Sequence, residues 1–316
     1  MEKNSRILVT GSKGMVGHSL VSLLSSEGFD NLLTPGISEL NLINQKLVDD
    51  YFCENKVDYV FHLAAKVGGI YANMRQPADF LYENLMLGCN VITASKNNNV
   101  KKLLFLGSAC IYPKEAKQPI KEECLQSGRL EPTNEGYALA KIAGLKLCKF
   151  FNKQYGTNFI SLMPCNLYGP RDRFKSEDSH VVPSLITKFH HAKENNLSSV
   201  TIWGSGNPKR EFLYVNDLSD ALVFFMKNHN ADQENSFTNI GSGEEISIKD
   251  LAYSIKDITN YQGKIKFDTS KPDGALRRFL DTSKSKDLGW EPKTSIKEGL
   301  KKTYNWYINS LEDHQE

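Results

Sequence analysis

No CxxC pair and no other metal-ligand spacing occurs among the six cysteines of this 316-residue chain. That excludes the zinc ribbons and fingers which such spacings build. No apolar run is long enough to span a bilayer, so a membrane-crossing helix is excluded too. Neither sign of charge dominates: 39 Lys and Arg stand against 37 Asp and Glu, a net charge of +2. Nothing in that balance points to nucleic acid or a membrane surface as partner. Internal repeats and low-complexity tracts are missing as well. The opening Met1-Glu2-Lys3-Asn4-Ser5-Arg6 is charged and runs straight into a strand-like segment, so no secretory leader is expected. Cys53, Cys89 and Cys148 lie in helix-like segments and read as core packing or chance. With no disulfide framework in view, a reducing cytoplasm is the expected setting. What is present is ample apolar material: 40% hydrophobic residues, enough for one large core and a smaller lobe.

Tyr137-Ala138-Leu139-Ala140-Lys141 places a phenol and an ammonium one helical turn apart on a single face. A phenol titrates near ~10 and keeps its proton at neutral pH. A neighbouring ammonium favours the phenolate and eases proton transfer to or from a sugar or alcohol oxygen. Ser108 adds a hydroxyl for the same oxygen. Such a Tyr/Lys pair is common on exposed helices, and the N-terminus is what gives it weight. Arg6-Ile7-Leu8-Val9-Thr10 reads as a buried strand, Gly11-Ser12-Lys13-Gly14-Met15-Val16-Gly17 follows at once, and a helix-like run continues from Met15 to Glu27. Glycines in that turn let the backbone approach a pyrophosphate seated on the helix N-terminus. The spacing is GxxGxxG rather than GxGxxG.

Together these residues resemble the extended short-chain dehydrogenase/reductase superfamily, over about Arg6 to Trp306. The resemblance implies a nicotinamide-binding Rossmann domain joined to a smaller sugar-nucleotide domain. The hydrophobic pattern is compatible with it. Strand-like runs at 6–10, 58–63, 101–107 and 158–163 alternate with helix-like runs at 15–27, 43–55, 79–98 and 135–155, and a short strand fits near 31–33. Such alternation predicts an α/β fold, a Rossmann-type doubly wound parallel sheet, with a smaller α/β substrate domain. Ser108 then falls just past a strand's C-terminal end, where open α/β sheets bind ligands. Beyond residue 165 the pattern mixes short strands (200–203, 264–267) with helices (180–196, 247–259, 295–309). The expected division is a dinucleotide-binding domain at 1–165 with returns near 214–241, and an interleaved substrate domain at 166–316.

Further landmarks follow in order: Ala64-Ala65-Lys66-Val67-Gly68-Gly69-Ile70, Gly107-Ser108-Ala109-Cys110-Ile111-Tyr112-Pro113, Asn166-Leu167-Tyr168-Gly169-Pro170, His180-Val181-Val182-Pro183, Trp203 through Phe212, and Lys271-Pro272-Asp273-Gly274. This ensemble resembles the GDP-L-fucose synthases, the 3,5-epimerase/4-reductases of GDP-4-keto-6-deoxy-D-mannose. The residue types suit that reaction. A C4 ketone acidifies the protons at C3 and C5, so epimerisation needs a base and, on the other face, an acid. Cys110 lies two residues past Ser108, and on an extended segment both side chains would point the same way. A free thiol titrates near ~8.5 and a nearby cation lowers it, which makes Cys110 a candidate base. His180 is the candidate acid. A buried small hydrophobe and a helix-start residue are the plainer readings of the two. Ser108 and Tyr137 would stabilise negative charge on O4, and Tyr137 would protonate O4 as hydride reaches C4.

The same resemblance implies the binding residues. For the cofactor these are Gly11, Ser12, Lys13, Gly14, Met15, Val16, Gly17, Asn41, Leu42, Ala64, Ala65, Lys66, Pro164, Asn166 and Leu167, with Tyr137, Lys141 and His180. For the substrate they are Ser108, Asn166, Lys188, Trp203, Arg210, Asp273 and Arg278. Arg210 matches the family's diphosphate-binding arginine. Lys188 stands where the family usually has arginine, keeping the charge but losing the bidentate fork. Arg278 occupies a Lys/Arg position. Trp203 would cover the base or ribose, or else be a core tryptophan. Relatives that use NADPH often carry arginines after the second strand; here Thr34-Pro35-Gly36-Ile37-Ser38-Glu39-Leu40-Asn41-Leu42 has none. Lys13, helped by Ser12 and Ser38, is expected to read the 2′-phosphate, and NADP(H) is the expected cofactor, with no metal. A sugar-nucleotide 4,6-dehydratase would want a carboxylate beside the catalytic hydroxyl, where Ala109 and Cys110 stand. A simple 4-reductase acting on a related sugar such as a GDP-6-deoxy-heptose, and a non-catalytic nucleotide sensor, are the other readings. A homodimer through the runs 79–98 and 135–155 is expected.

Overall fold

The computed structural model describes residues 1–174, 179–232, 237–271 and 273–312; Pro272 of the Lys-Pro-Asp-Gly landmark and the last four residues of the expected substrate domain lie outside them. The N-terminal part runs β1 (Ile7–Thr10), α1 (Met15–Ser26), β2 (Leu32–Leu33), α2 (Gln45–Asn55), β3 (Tyr59–His62), α3 (Ile70–Arg75), α4 (Pro77–Asn97), β4 (Lys102–Leu106), α5 (Glu135–Tyr155) and β5 (Phe159–Pro164). The rest runs β6 (Asn166–Tyr168), α6 (Val181–Glu194), β7 (Ser199–Trp203), β8 (Lys209–Tyr214), α7 (Val215–Asn228), β9 (Phe237–Ile240), β10 (Glu245–Ser247), α8 (Ile248–Thr259), β11 (Lys264–Asp268), β12 (Arg277–Arg278), α9 (Ser283–Asp287) and α10 (Ile296–Glu312). The elements that the periodicity predicts begin and end within about three residues of their expected bounds, while α3, β6, β8, β10, β12 and α9 have no counterpart in that pattern.

The main sheet has the order β2-β1-β3-β4-β5-β9, and every pairing in it is parallel. Strands β1, β3, β4 and β5 are buried at every position, as expected when helices cover both faces of a parallel sheet. The strand order reverses between β1 and β3, which opens a crevice at their C-terminal ends. Helix ends follow local chemistry. Asn44 caps α2 by accepting the Leu47 N–H at 3.2 Å, Pro77 opens α4, and Gly156 ends α5 with a φ of 66°.

One charged residue inside β4 is resolved by packing. Lys102 is buried, and its ammonium donates to the carbonyls of Phe225 at 2.9 Å, Met226 at 2.8 Å and also His229. These close the C-terminus of α7, where the helix dipole favours a cation. Helix α7 and β9 thereby join the first core, which includes Leu218, Leu222, Phe225 and Ile240. A second core gathers Tyr168, Phe189, Phe212, Leu251, Leu300 and Tyr307 from β6, α6, β8, α8 and α10. Around it, β8 pairs with β10, β12 and β6, and β7 pairs with β11.

Candidate functional site

The glycine turn lies against the crossover that follows β3. Gly11 has a φ of 71°, and a Cβ there would stand 2.9 Å from the backbone of Ala64. A Cβ on Gly17 would stand 2.1 Å from the Gly11 carbonyl oxygen. Only glycine permits both the curvature and the closeness. Helix α1 starts at Met15 with Gly14 as N-cap and no side-chain cap, so its first N–H groups face the crevice as anion donors. Lys13 is exposed and reaches over the loop after β2: a Cβ on Gly36 would meet its Nζ at 3.1 Å. Ser12 is buried and donates to the Thr34 carbonyl at 3.3 Å. Glu39 is occupied locally, accepting the Gly36 N–H at 2.7 Å. These features form a cradle for a dinucleotide with a cation beside its ribose end.

Two residues that sequence reasoning passed over hold this cradle. Thr10 Oγ1 accepts the N–H groups of Leu63 at 3.1 Å and Ala64 at 3.2 Å. Its own proton therefore points to His62 Nδ1, 2.9 Å away. His62 is then neutral, and burial together with the Lys141 charge lowers its pKa to about 3. Its ring stacks on Phe105. The only sequence signal was a histidine inside an otherwise apolar strand. Beyond β3, the backbone of Lys66 is held by Asn84 and its ammonium by Glu83 at 2.6 Å. Asn90 secures the Leu42 carbonyl at 2.8 Å, while Asn41 caps its own turn at Ile43.

The reacting groups come from the end of β4 and from α5. Lys141 is buried and donates to the Leu106 carbonyl at 2.7 Å. Its Nζ lies 5.7 Å from the centre of the Tyr137 ring. Burial lowers Lys141 to about 8. Burial raises the Tyr137 phenol well above its usual range, helped by charge on Cys110. The expectation that the ammonium would ease Tyr137 toward phenolate is thus corrected: desolvation wins, and the phenol rests as a proton donor. The expected extended segment at Ser108–Cys110 is corrected too. Ala109–Ile111 forms a 3₁₀ turn capped by Ser108, whose hydroxyl accepts the Cys110 N–H at 3.4 Å. Cys110 still shares the pocket. Burial pushes its thiol up to about 11, against the pull of Ser108, Lys141 and Arg278. Those cations therefore do not leave it below its ordinary value, and the thiol is neutral at rest.

His180 stands at the N-cap of α6. It is the one catalytic candidate that is exposed, and its Nδ1 lies 3.9 Å from the buried Asp172. Pro164 ends β5, and Asn166 and Leu167 cross to the second sheet opposite Phe212 and Leu213. Asn166 donates to the Glu211 carbonyl at 2.9 Å. Arg278 on β12 stands in direct register with Arg210 on β8. Desolvation and their mutual charge lower both or one of these guanidiniums: burial acts on each, and Arg278 acts on Arg210. Arg278 also donates to the Pro113 carbonyl at 3.1 Å, which ties it to the Ser108 loop. Two adjacent guanidiniums with carbonyl partners concentrate positive charge at this point. Trp203 is 57% exposed, which rules out the core reading. Lys188 and Lys271 lie 5.9 and 5.5 Å from its ring centre, and burial lowers Lys188. Asp273 accepts the Ser205 N–H at 2.9 Å and hydroxyl at 2.7 Å, closing the turn beside that indole.

A parallel sheet with a glycine cradle at its switch point, and a Ser–Tyr–Lys set beside it whose lysine is buried, defines a dinucleotide-dependent enzyme of the Rossmann type. The chain belongs to the NAD dependent epimerase/dehydratase family, whose model matches residues 7–241. It is 51% identical to the GDP-L-fucose synthase of Sinorhizobium fredii over 309 residues, which cover 98% of this chain and 97% of that one. It is 46% identical to the GDP-L-fucose synthase of Escherichia coli over 311 residues, covering 96% and 97%. Among solved structures it resembles MlghC, a GDP-mannoheptose C4 reductase from Campylobacter jejuni with NADP bound, at 43% identity and a TM-score of 0.90, covering 98% and 99%.

Proposed function

We propose that this chain converts GDP-4-keto-6-deoxy-D-mannose to GDP-L-fucose by 3,5-epimerisation and 4-reduction, with NADPH as cofactor. The observation that carries the reading is a half-buried thiol, Cys110, whose charge would be felt by both Tyr137 and Lys141. A reductase alone has no use for that thiol. The chain's relatedness to GDP-L-fucose synthases over nearly its whole length supports the substrate.

NADPH fits the Gly11–Gly17 cradle and Lys13, and when bound it supplies the hydride. The chain's own residues do the rest. Arg210 and Arg278 bind the diphosphate, while Trp203, with Lys188, covers the base. That grip places the keto sugar against the Ser108 turn. Cys110 removes the protons at C3 and C5. Only the thiolate can take a carbon-bound proton, so the thiol first loses its own proton to solvent, an ionisation that burial resists and the nearby Lys141 and Arg278 charges favour, and it sheds the substrate proton the same way between C3 and C5. Ser108 and Tyr137 hydrogen-bond the enediolate oxygen at O4. His180 returns protons on the opposite face. Tyr137 finally gives its proton to O4, and the Lys141 ammonium stabilises the phenolate left behind.

Residues 1–165 with α7 and β9 act as the cofactor domain, and the remainder as the substrate domain. Exposed Tyr82 and Leu139, with Phe150 and Tyr155, lie on α4 and α5; we assign them to a homodimer interface, which light scattering at micromolar concentration tests. No described helix is long and apolar enough to cross a membrane, and all six cysteines are free; both accord with a cytoplasmic enzyme. A second reading, 4-reduction of a GDP-heptose without inversion, draws on the likeness to MlghC and on the exposure of His180. Turnover in deuterated water separates the two: the epimerase places deuterium at C3 and C5, the plain reductase at neither.

A further inference from the structure

Glu211 follows Arg210 on β8, is completely buried, and has no part in the chemistry above. Its hydrogen bonds go to main chain from two other segments. Oε1 accepts the Gly243 N–H at 2.9 Å, and Oε2 accepts the Leu280 N–H at 3.0 Å. The 241–243 turn wraps it closely: a Cβ on Gly241 would stand 2.2 Å from Oε1. Leu280 lies two residues beyond Arg278. The ladder between β12 and β8 is only two residues long, Arg277 with Lys209 and Arg278 with Arg210. So short a parallel pairing is weak; Glu245 bridges Lys209 and Arg277 at one end, while Arg210 and Arg278 stand as like charges at the other. On its far side the same segment is tied to the loop after β4: Phe279 N–H donates to Gln118 at 2.8 Å, and Ile120 N–H donates to the Phe279 carbonyl at 2.8 Å. On the β8 side the side-chain anchors are Glu245 of β10, which takes the Arg277 end, and Glu211, which holds the chain past Arg278.

We infer that Glu211 is a positioning residue for substrate binding: by receiving the Leu280 and Gly243 N–H groups it holds β12 against β8, so that Arg278 stands beside Arg210 as a clamp for the diphosphate of a nucleoside-diphosphate sugar. The inference rests on the GDP-sugar reading above. A carboxylate is required because both oxygens must accept; a glutamine of the same shape offers one acceptor and turns its NH₂ toward the other N–H. Glu211 touches no reacting atom and acts only through the arginine.

The test is a double-mutant cycle of Glu211→Gln and Arg278→Ala, read by equilibrium binding of GDP and, in parallel, of NADPH. E211Q is expected to weaken GDP about tenfold while NADPH affinity changes by less than about twofold. In the R278A background E211Q should add less than about twofold, because the two act as one unit. A folded E211Q with wild-type GDP affinity overturns the proposal. So do additive losses in the double variant, or an equal fall in NADPH affinity. If E211Q does not fold, Glu211→Asp, with both acceptors on a shorter stem, runs the same cycle. A wild-type protein that binds NADPH but not GDP overturns the GDP-sugar reading itself, and this inference with it.

Discussion

The two walls of the cleft are built on opposite principles. The wall from β4 and α5 is buried: Lys141 is almost fully enclosed, and desolvation moves Lys141, Tyr137 and Cys110 toward their neutral forms. The wall from α6, β7, β8 and β12 is more open and rich in cationic side chains. His180, Lys188 and Trp203 are exposed, and Arg210 and Arg278 stand together in adjacent register. Proton transfer gains from groups poised near neutrality in a dry setting. Anion capture gains from fixed positive charge that a ligand can neutralise. Of the proposed catalytic groups all but His180 lie on the first wall, and the proposed diphosphate and base contacts lie on the second. Burial alone does not mark function, however. Lys102 is as buried as Lys141 and is likewise lowered to about 8, yet it only closes the end of α7.

The sharpest way to break this division is to remove the proposed proton donor. Tyr137→Phe is expected to cost ~10²–10⁴ in the rate of NADPH oxidation, with NADPH affinity nearly intact; near-wild-type turnover would remove Tyr137 from its role. Next in size is a pH effect. Lys141 keeps its ammonium below about 8 and loses it above, so turnover limited by proton donation should fall as pH rises through about 8, approaching tenfold per unit well beyond it. Melting curves do not isolate this group. Its depressed pKa means the unfolded chain binds the extra proton above about 8, so stability from Lys141 and Lys102 rises with pH. Cys110 and the buried Cys148, raised to about 11 and 12, work in the opposite direction as unfolded thiols ionise first. A flat rate profile from pH 7 to 9 would contradict the Lys141 assignment. The smallest expected effect is at the exposed cofactor edge. Lys13→Ala should reduce the preference for NADPH over NADH by about fivefold or less, since exposed ionic contacts are weak. An unchanged ratio of the two kcat/KM values would show that Lys13 does not read the phosphate.

The buried wall was the more legible one in the sequence. Continuous apolar strands, a glycine turn at a strand end and a Tyr/Lys pair one turn apart each have a local cause, so Gly11 to Gly17, Tyr137 and Lys141 fall where spacing puts them. What escaped was whatever depends on partners distant in sequence. The pairing of Arg210 with Arg278 spans 68 residues, and the Thr10–His62 contact spans 52. Neither has a local pattern. Titration was misjudged for the same reason. The residue types at Cys110 and Tyr137 suggested charge neighbours that lower a pKa, whereas the fold supplies burial that raises it. The 3₁₀ turn at Ala109–Ile111 also broke the two-residue alternation assumed from an extended chain. Trp203 was ambiguous from composition and resolved only by its exposure.

In the proposed mechanism Cys110 makes this site an epimerase as well as a reductase. The direct measurement is deuterium content at C3 and C5 of the product formed from GDP-4-keto-6-deoxy-D-mannose and NADPH in deuterated water, for wild type and Cys110→Ser. The wild type should carry deuterium at both carbons. C110S, whose hydroxyl hardly ionises at neutral pH, should lose the exchange and yield an uninverted deoxyhexose while still oxidising NADPH. Deuterium at both positions in C110S, with the same inverted sugar, would contradict the claim.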